Sequence, residues 1–177
     1  MAANLILAAF LCVSGGPAYA ALSVEAETLL NEGVTHLYDL NYEKSRETFR
    51  KIIETEPENP FGYLFESGGI WWQSSQEYGL FKGTPTLQGV FERDVDFALK
   101  KAQILMKSRD KEIQADANFA AGMALGTRGQ WALMRGHWLK ACFDGHKAVK
   151  FLNRSVKADK NYSDAYLGLG VFDYQAS

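Results

Sequence analysis

GVTHLYDLNYEKSRETFRKIIETEP, residues 33–57, is the stretch whose spacing decides the fold. From Gly33 an aromatic follows nine residues on at Tyr42, a small residue three further at Ser45, and a second aromatic four beyond at Phe49. Proline closes the stretch eight residues later at Pro57. Apolar residues around and within it recur at helical intervals: Leu29, Leu30, Val34, Leu37 and Tyr38, then Phe49, Ile52 and Ile53, as when one stripe of a helix faces a core. A small residue lets two helices approach, a large ring fills the space between them, and proline ends the second helix. Phe49 is therefore expected to be buried between helices.

The pattern returns in KAVKFLNRSVKADKNYSDAYLGLG, Lys147 to Gly170. Ala148, Leu152 and Ser155 form the small-large-small face of a second helix, and Tyr166, Leu169 and Gly170 the aromatic-Leu-Gly face of the next first helix. Gly170 follows Ala148 by 22 residues, as Ser67 follows Ser45. This pattern resembles the tetratricopeptide repeat, a helix-turn-helix unit of about 34 residues. Two positions depart from it: Lys160 stands where Pro57 stood, and Ile52 fills a place that is normally small.

Between the flanks, Pro60 to Phe81 is expected as a first helix, the loop Gly83-Thr84-Pro85-Thr86 follows, and Val90 to Lys107 is its partner. Ala115 to about Trp131 and His137 to Lys157 are expected as the next pair. No stretch shows the Val/Ile/Thr alternation of a strand, and residues 86–177 contain no proline. The expected fold is all-α: about seven helices, in antiparallel pairs stacked as a right-handed solenoid, with units at about 26–59, 60–114 and 115–162 and an incomplete one at 163–177. The middle units exceed the repeat length, and the extra residues are expected as insertions between the helices of each pair. Trp131 and Trp138, beside Gly129 and Gly136, are expected to pin the third unit's insertion to the body. The last helix, with Leu167, Leu169, Val171, Phe172 and Tyr174, has no following helix to cover it, and repeat arrays normally finish with a polar cap. The expectation is a truncated array, or a final helix that self-associates or docks on a partner.

The first twenty residues, MAANLILAAFLCVSGGPAYA, carry no charge, an apolar run from Leu5 to Val13, and the small-x-small ending Ala18-Tyr19-Ala20. They read as an export signal cleaved after Ala20, although no Lys or Arg precedes the run. The run is far short of the roughly 20 residues that span a bilayer. Cys12 follows Leu11, where lipid attachment usually wants a small residue. Residues 21–177 then form the working chain, exported and, in a bacterium, periplasmic. Its one cysteine, Cys142, has no internal disulfide partner.

The 177 residues are 47% hydrophobic and carry a formal charge of −2, which excludes a disordered tail and a basic nucleic-acid binder. No GxSxG, P-loop, dinucleotide fingerprint, HExxH or CxxC is present, so no catalytic role, metal or cofactor is expected. His146 lies one helical turn after Cys142, but two ligands do not make a site; a small buried cysteine beside a solvated histidine is the expectation. Charges such as Glu43, Glu47 and Glu54, or Lys147, Lys150 and Lys157, are expected on solvated faces.

The resemblance implies that residues four and five beyond the small first-helix residue face a concave groove. These are Leu37 and Tyr38, Trp71 and Trp72, Gly126 and Thr127, and Tyr174 and Gln175. Tyr38, Trp71, Trp72, Thr127 and Tyr174 are the candidate partner-binding residues, since Tyr and Trp offer rigid contact area with a polar handle. The expected function is a scaffold that holds a peptide or protein. The alternatives are a small-ligand or metal binder around Cys142, His146 and the tryptophans, and an inactive fragment of a longer array.

Overall fold

The computed structural model describes residues 21–77 and 85–176. Seven helices account for almost all of them: α1 (Val24–Tyr38), α2 (Tyr42–Thr55), α3 (Pro60–Glu77), α4 (Pro85–Leu105), α5 (Lys111–Met134), α6 (Trp138–Ala158) and α7 (Ser163–Ala176). No strand occurs among the described residues. Residues 1–20 and the first half of the expected 83–86 loop lie outside them.

Four of the helices begin at a capping side chain or a proline. The Ser23 side chain accepts a hydrogen bond from Ala26 N–H ahead of α1, and Asp110 accepts from Glu112 and Ile113 N–H ahead of α5. Asn59 accepts from Phe61 N–H, and Pro60 takes the first position of α3, where its missing N–H costs nothing. Pro85 does the same for α4, so the expected loop proline is instead the first residue of a helix.

The first and third pairs turn in the same way. After α1, Asn41 N–H donates to His36 C=O at 2.8 Å and Leu40 N–H to Leu37 C=O at 3.1 Å. After α5, His137 N–H donates to Ala132 C=O at 2.9 Å and Gly136 N–H to Leu133 C=O at 3.0 Å. Both are Schellman endings, with Leu40 (φ 60°) and Gly136 (φ 74°) in the left-handed position.

Phe49 is fully buried and lies so close to Gly33 that a Cβ there would sit 2.4 Å from its ring. Ser45 bonds back to the Gly33 carbonyl at 2.8 Å. The same device recurs in the third pair: a Cβ on Gly122 would meet Leu152 at 2.8 Å, and Ser155 donates to the Ala115 carbonyl at 2.8 Å. Helices consecutive in sequence pack on each other, and α1 also packs on α3, α3 on α5, and α5 on α7. The core runs through these contacts as linked rings: Phe49 to Phe65 at 5.7 Å, Phe65 to Phe61 at 6.5 Å, Phe61 to Phe119 at 6.4 Å, and Phe119 to Tyr162 at 5.3 Å.

The third pair departs from expectation. Its extra length is not a loop: α5 and α6 run 24 and 21 residues and are joined by Arg135, Gly136 and His137 alone. Gly129 lets the added turns continue the seam, because a Cβ there would lie 3.3 Å from the Ala141 carbonyl. Helical extension keeps every backbone group paired, which an inserted loop beside the core would not. The last helix is partly covered by its predecessors, with the Phe172 ring over Gly126 and Gly145.

Candidate functional site

The five candidate groove residues do not share one environment. Trp71 and Thr127 are buried, at 3% and 6% exposure; Trp72 is half-buried, and Tyr38 and Tyr174 are more than half exposed. The Thr127 hydroxyl is taken up by the Met123 carbonyl at 2.9 Å. Trp71 and Trp72 lie with ring centroids 6.4 Å apart, so of these two only the second offers surface.

Two expectations for α6 are corrected. Trp131 does pack inward, stacked on Phe91 at 4.2 Å, but Trp138 is 68% exposed. With no inserted loop for it to hold, Trp138 stands on the outer side of the extended helix beside exposed Leu139 and Phe143. Cys142 belongs to the same exposed side and is not buried; His146 is exposed too. Among the described residues no group of three or more His, Cys, Asp or Glu is placed to hold a metal ion.

The sites that spacing did not reveal are charged clusters at two three-helix junctions. At the α2–α3–α4 junction, Glu66 of α3 and Asp94 of α4 are both fully buried. Arg50 Nε of α2 donates to Glu66 Oε1 at 2.8 Å, and Arg93 donates to Asp94 Oδ1 at 2.8 Å. Arg93 also lies 4.0 Å from Glu66 Oε2. Burial, and then the negative charge of Glu66, push the Asp94 carboxyl up to about 7. Glu66 Oε2 and Asp94 Oδ2 receive no other donor, so a single proton shared between the two acids satisfies both.

At the α4–α5–α6 junction the polarity is reversed. Arg128 of α5 grips Asp144 of α6 through two hydrogen bonds of 2.8 Å, and its third nitrogen lies 3.6 Å from Asp96 of α4. The Asp144 bonds hold the guanidinium firmly in its charged form. Beside it opens a cleft of about 240 Å³ floored by Phe91 and Trp131, with Arg135, His137 and Lys140 on its rim. Arg135 covers the Trp131 ring at 4.9 Å, and Trp131 Nε1 is buried without an acceptor.

These clusters bind helices to one another, and none sets a nucleophile against a base. Around them lie exposed aromatic surface and the cleft beside Arg128. Comparison with protein-family models, with curated proteins and with solved structures finds no match for this chain.

Proposed function

We propose that the protein is an exported, non-catalytic scaffold of tetratricopeptide type, which holds a peptide or protein partner along the face built from α1, α3, α5 and α7. The observation that carries the reading is the packing order. The odd helices contact one another in series, and no comparable packing joins α2, α4 and α6. A stack of antiparallel pairs in a right-handed solenoid has this order, with one helix of each pair on a continuous inner face.

Antiparallel pairing is supported in the third pair, where Ala115 meets Ser155, Gly122 meets Ala148 and Leu152, and Gly129 meets Ala141. The repeated turn at Leu40 and Gly136 supports a common unit. Tyr38, Trp72 and Tyr174 supply the aromatic contact surface. No helix among the described residues is long and apolar enough to cross a membrane.

A photo-crosslinking residue placed at Tyr38 or Trp72 in the expressing cell tests the proposal. The expected product is a covalent adduct with a protein, reduced at least tenfold by Trp72→Ala when the probe is at Tyr38. Adducts confined to a probe at Trp138 would move the binding surface to α6, and no protein adduct from any of the three positions would overturn the scaffold reading.

A further inference from the structure

Asp116 is a buried acid without a basic partner. It lies early in α5, is 2% exposed, and accepts two hydrogen bonds of 2.7 Å: from the Tyr162 hydroxyl at Oδ1 and from Ala21 N–H at Oδ2. Burial pushes its carboxyl up to about 6, and the charges bearing on it, Glu112 and Asp110, are acidic. Buried carboxylates are ordinarily paired with a cation, because leaving one unpaired is costly. Here the structure supplies only neutral donors.

The same nitrogen is singled out by the sequence, since Ala21 follows the small-x-small pattern Ala18-Tyr19-Ala20. The surroundings hold it in place. The Asn59 side-chain amide donates to the Ala21 carbonyl and, at 2.9 Å, to Glu56. Ser23 donates to Glu56 through both its N–H and its hydroxyl. Residues 21–23 are thereby tied to the end of α2, the start of α3 and the body of α5.

We infer that hydrolysis of the Ala20–Ala21 bond creates an α-ammonium at Ala21 that pairs with Asp116, making this cradle a binding site for the chain's own new amino terminus. The inference rests on the export reading of residues 1–20. Water adds across the peptide bond under a leader-cleaving endopeptidase; Ala20 leaves as a carboxylate, and the Ala21 amine takes up a proton. Where the peptide nitrogen has one N–H, the ammonium has three and a positive charge, which supplies the cation that Asp116 lacks. Only the processed chain then joins its first residue to α5 by an ion pair.

The test uses the exported protein purified in its native state: its first residue is identified, and acylation of the α-amine is followed by mass spectrometry across pH. The expected first residue is Ala21, with its amine acylated at least tenfold more slowly than in denatured protein. The expected labelling midpoint lies above the ordinary value of about 8 for an α-amino group. Pairing with a carboxylate raises that midpoint, whereas burial alone lowers it; Glu56 also borders the cradle, so a raised midpoint that persists in Glu56→Gln assigns the pair to Asp116 even if Asp116→Asn does not fold. A folded Asp116→Asn protein is expected to label at least tenfold faster than wild type. A first residue other than Ala21 would overturn both the cleavage and the pair. Ala21 in first place with a midpoint at or below about 8 would overturn the pair alone and leave export standing.

Discussion

The two charged junctions use the same components in opposite senses. At the first, the odd helix places an acid in the middle and the even helices supply arginines; at the second, the odd helix supplies Arg128 and the even helices supply aspartates. A guanidinium at the centre suits carboxylates on either side, because its planar fork meets one of them with two parallel bonds. An acid at the centre is reached by single contacts from Arg50 and Arg93, whose side chains are about half exposed. With Asp94 buried beside Glu66, desolvation and the neighbouring negative charge favour a protonated acid at the first junction. The second junction thus acts as a fixed clasp and the first as one sensitive to pH. Because the polarities are reversed, a helix from one junction placed in the other would face like charge, which favours a single order of the units.

The largest expected effect comes from breaking the fixed clasp. Arg128→Leu leaves Asp144 buried with no counter-charge and should cost about 3–5 kcal/mol in denaturant unfolding. A loss under about 1 kcal/mol would show that the clasp contributes little.

The next effect separates the junctions by pH. Asp94 holds its proton up to about 7 in the folded protein, against an ordinary 3.8. The folded state therefore binds a proton that the unfolded chain releases, so this stabilisation is complete below about pH 4 and is lost as pH rises through 7. Asp94→Asn should flatten that decline and make the variant the more stable protein at pH 8, whereas Arg128→Leu, which strands the buried Asp144 carboxylate, should steepen it. Parallel stability curves for wild type and Asp94→Asn would contradict the shared proton.

Arg50→Gln should have the smallest effect, on the order of 1 kcal/mol, since the Arg50 side chain is 44% exposed and its replacement keeps an N–H donor. A loss comparable to that of Arg128→Leu would erase the distinction between the junctions.

Much of the helical layout was legible because it depends on neighbours a few residues apart. Gly33, Ser45 and Phe49 meet as their spacing requires, and the acids and lysines assigned to solvated faces, Glu47 and Lys150 among them, are exposed. Trp138, Cys142 and the form of the third pair's added length were misjudged, because periodicity does not distinguish a loop from further turns of helix. Of the candidate groove residues, Trp71 was indistinguishable from Trp72 in spacing, yet it is buried. The ion pairs that join different helices at the charged junctions link residues 16 to 32 apart, which no local pattern encodes. A clue was nevertheless present: Glu66 is the sole charged residue between Pro60 and Ser75, and Asp116 the sole one between Gln114 and Thr127. An isolated acid in an apolar helix marks a place where tertiary structure must supply a partner.

The ring contacts from Phe49 through Phe65, Phe61 and Phe119 to Tyr162 bear on how the molecule comes apart. In a linear array whose units are weakly joined, ends fray and partly unfolded species accumulate. Here one continuous line of aromatic contacts crosses from α2 through α3 and α5 to the approach to α7, so opening one pair strips contacts from the next. Loosening of α2, α3 or α5 should therefore weaken the other two, and the three are expected to open together.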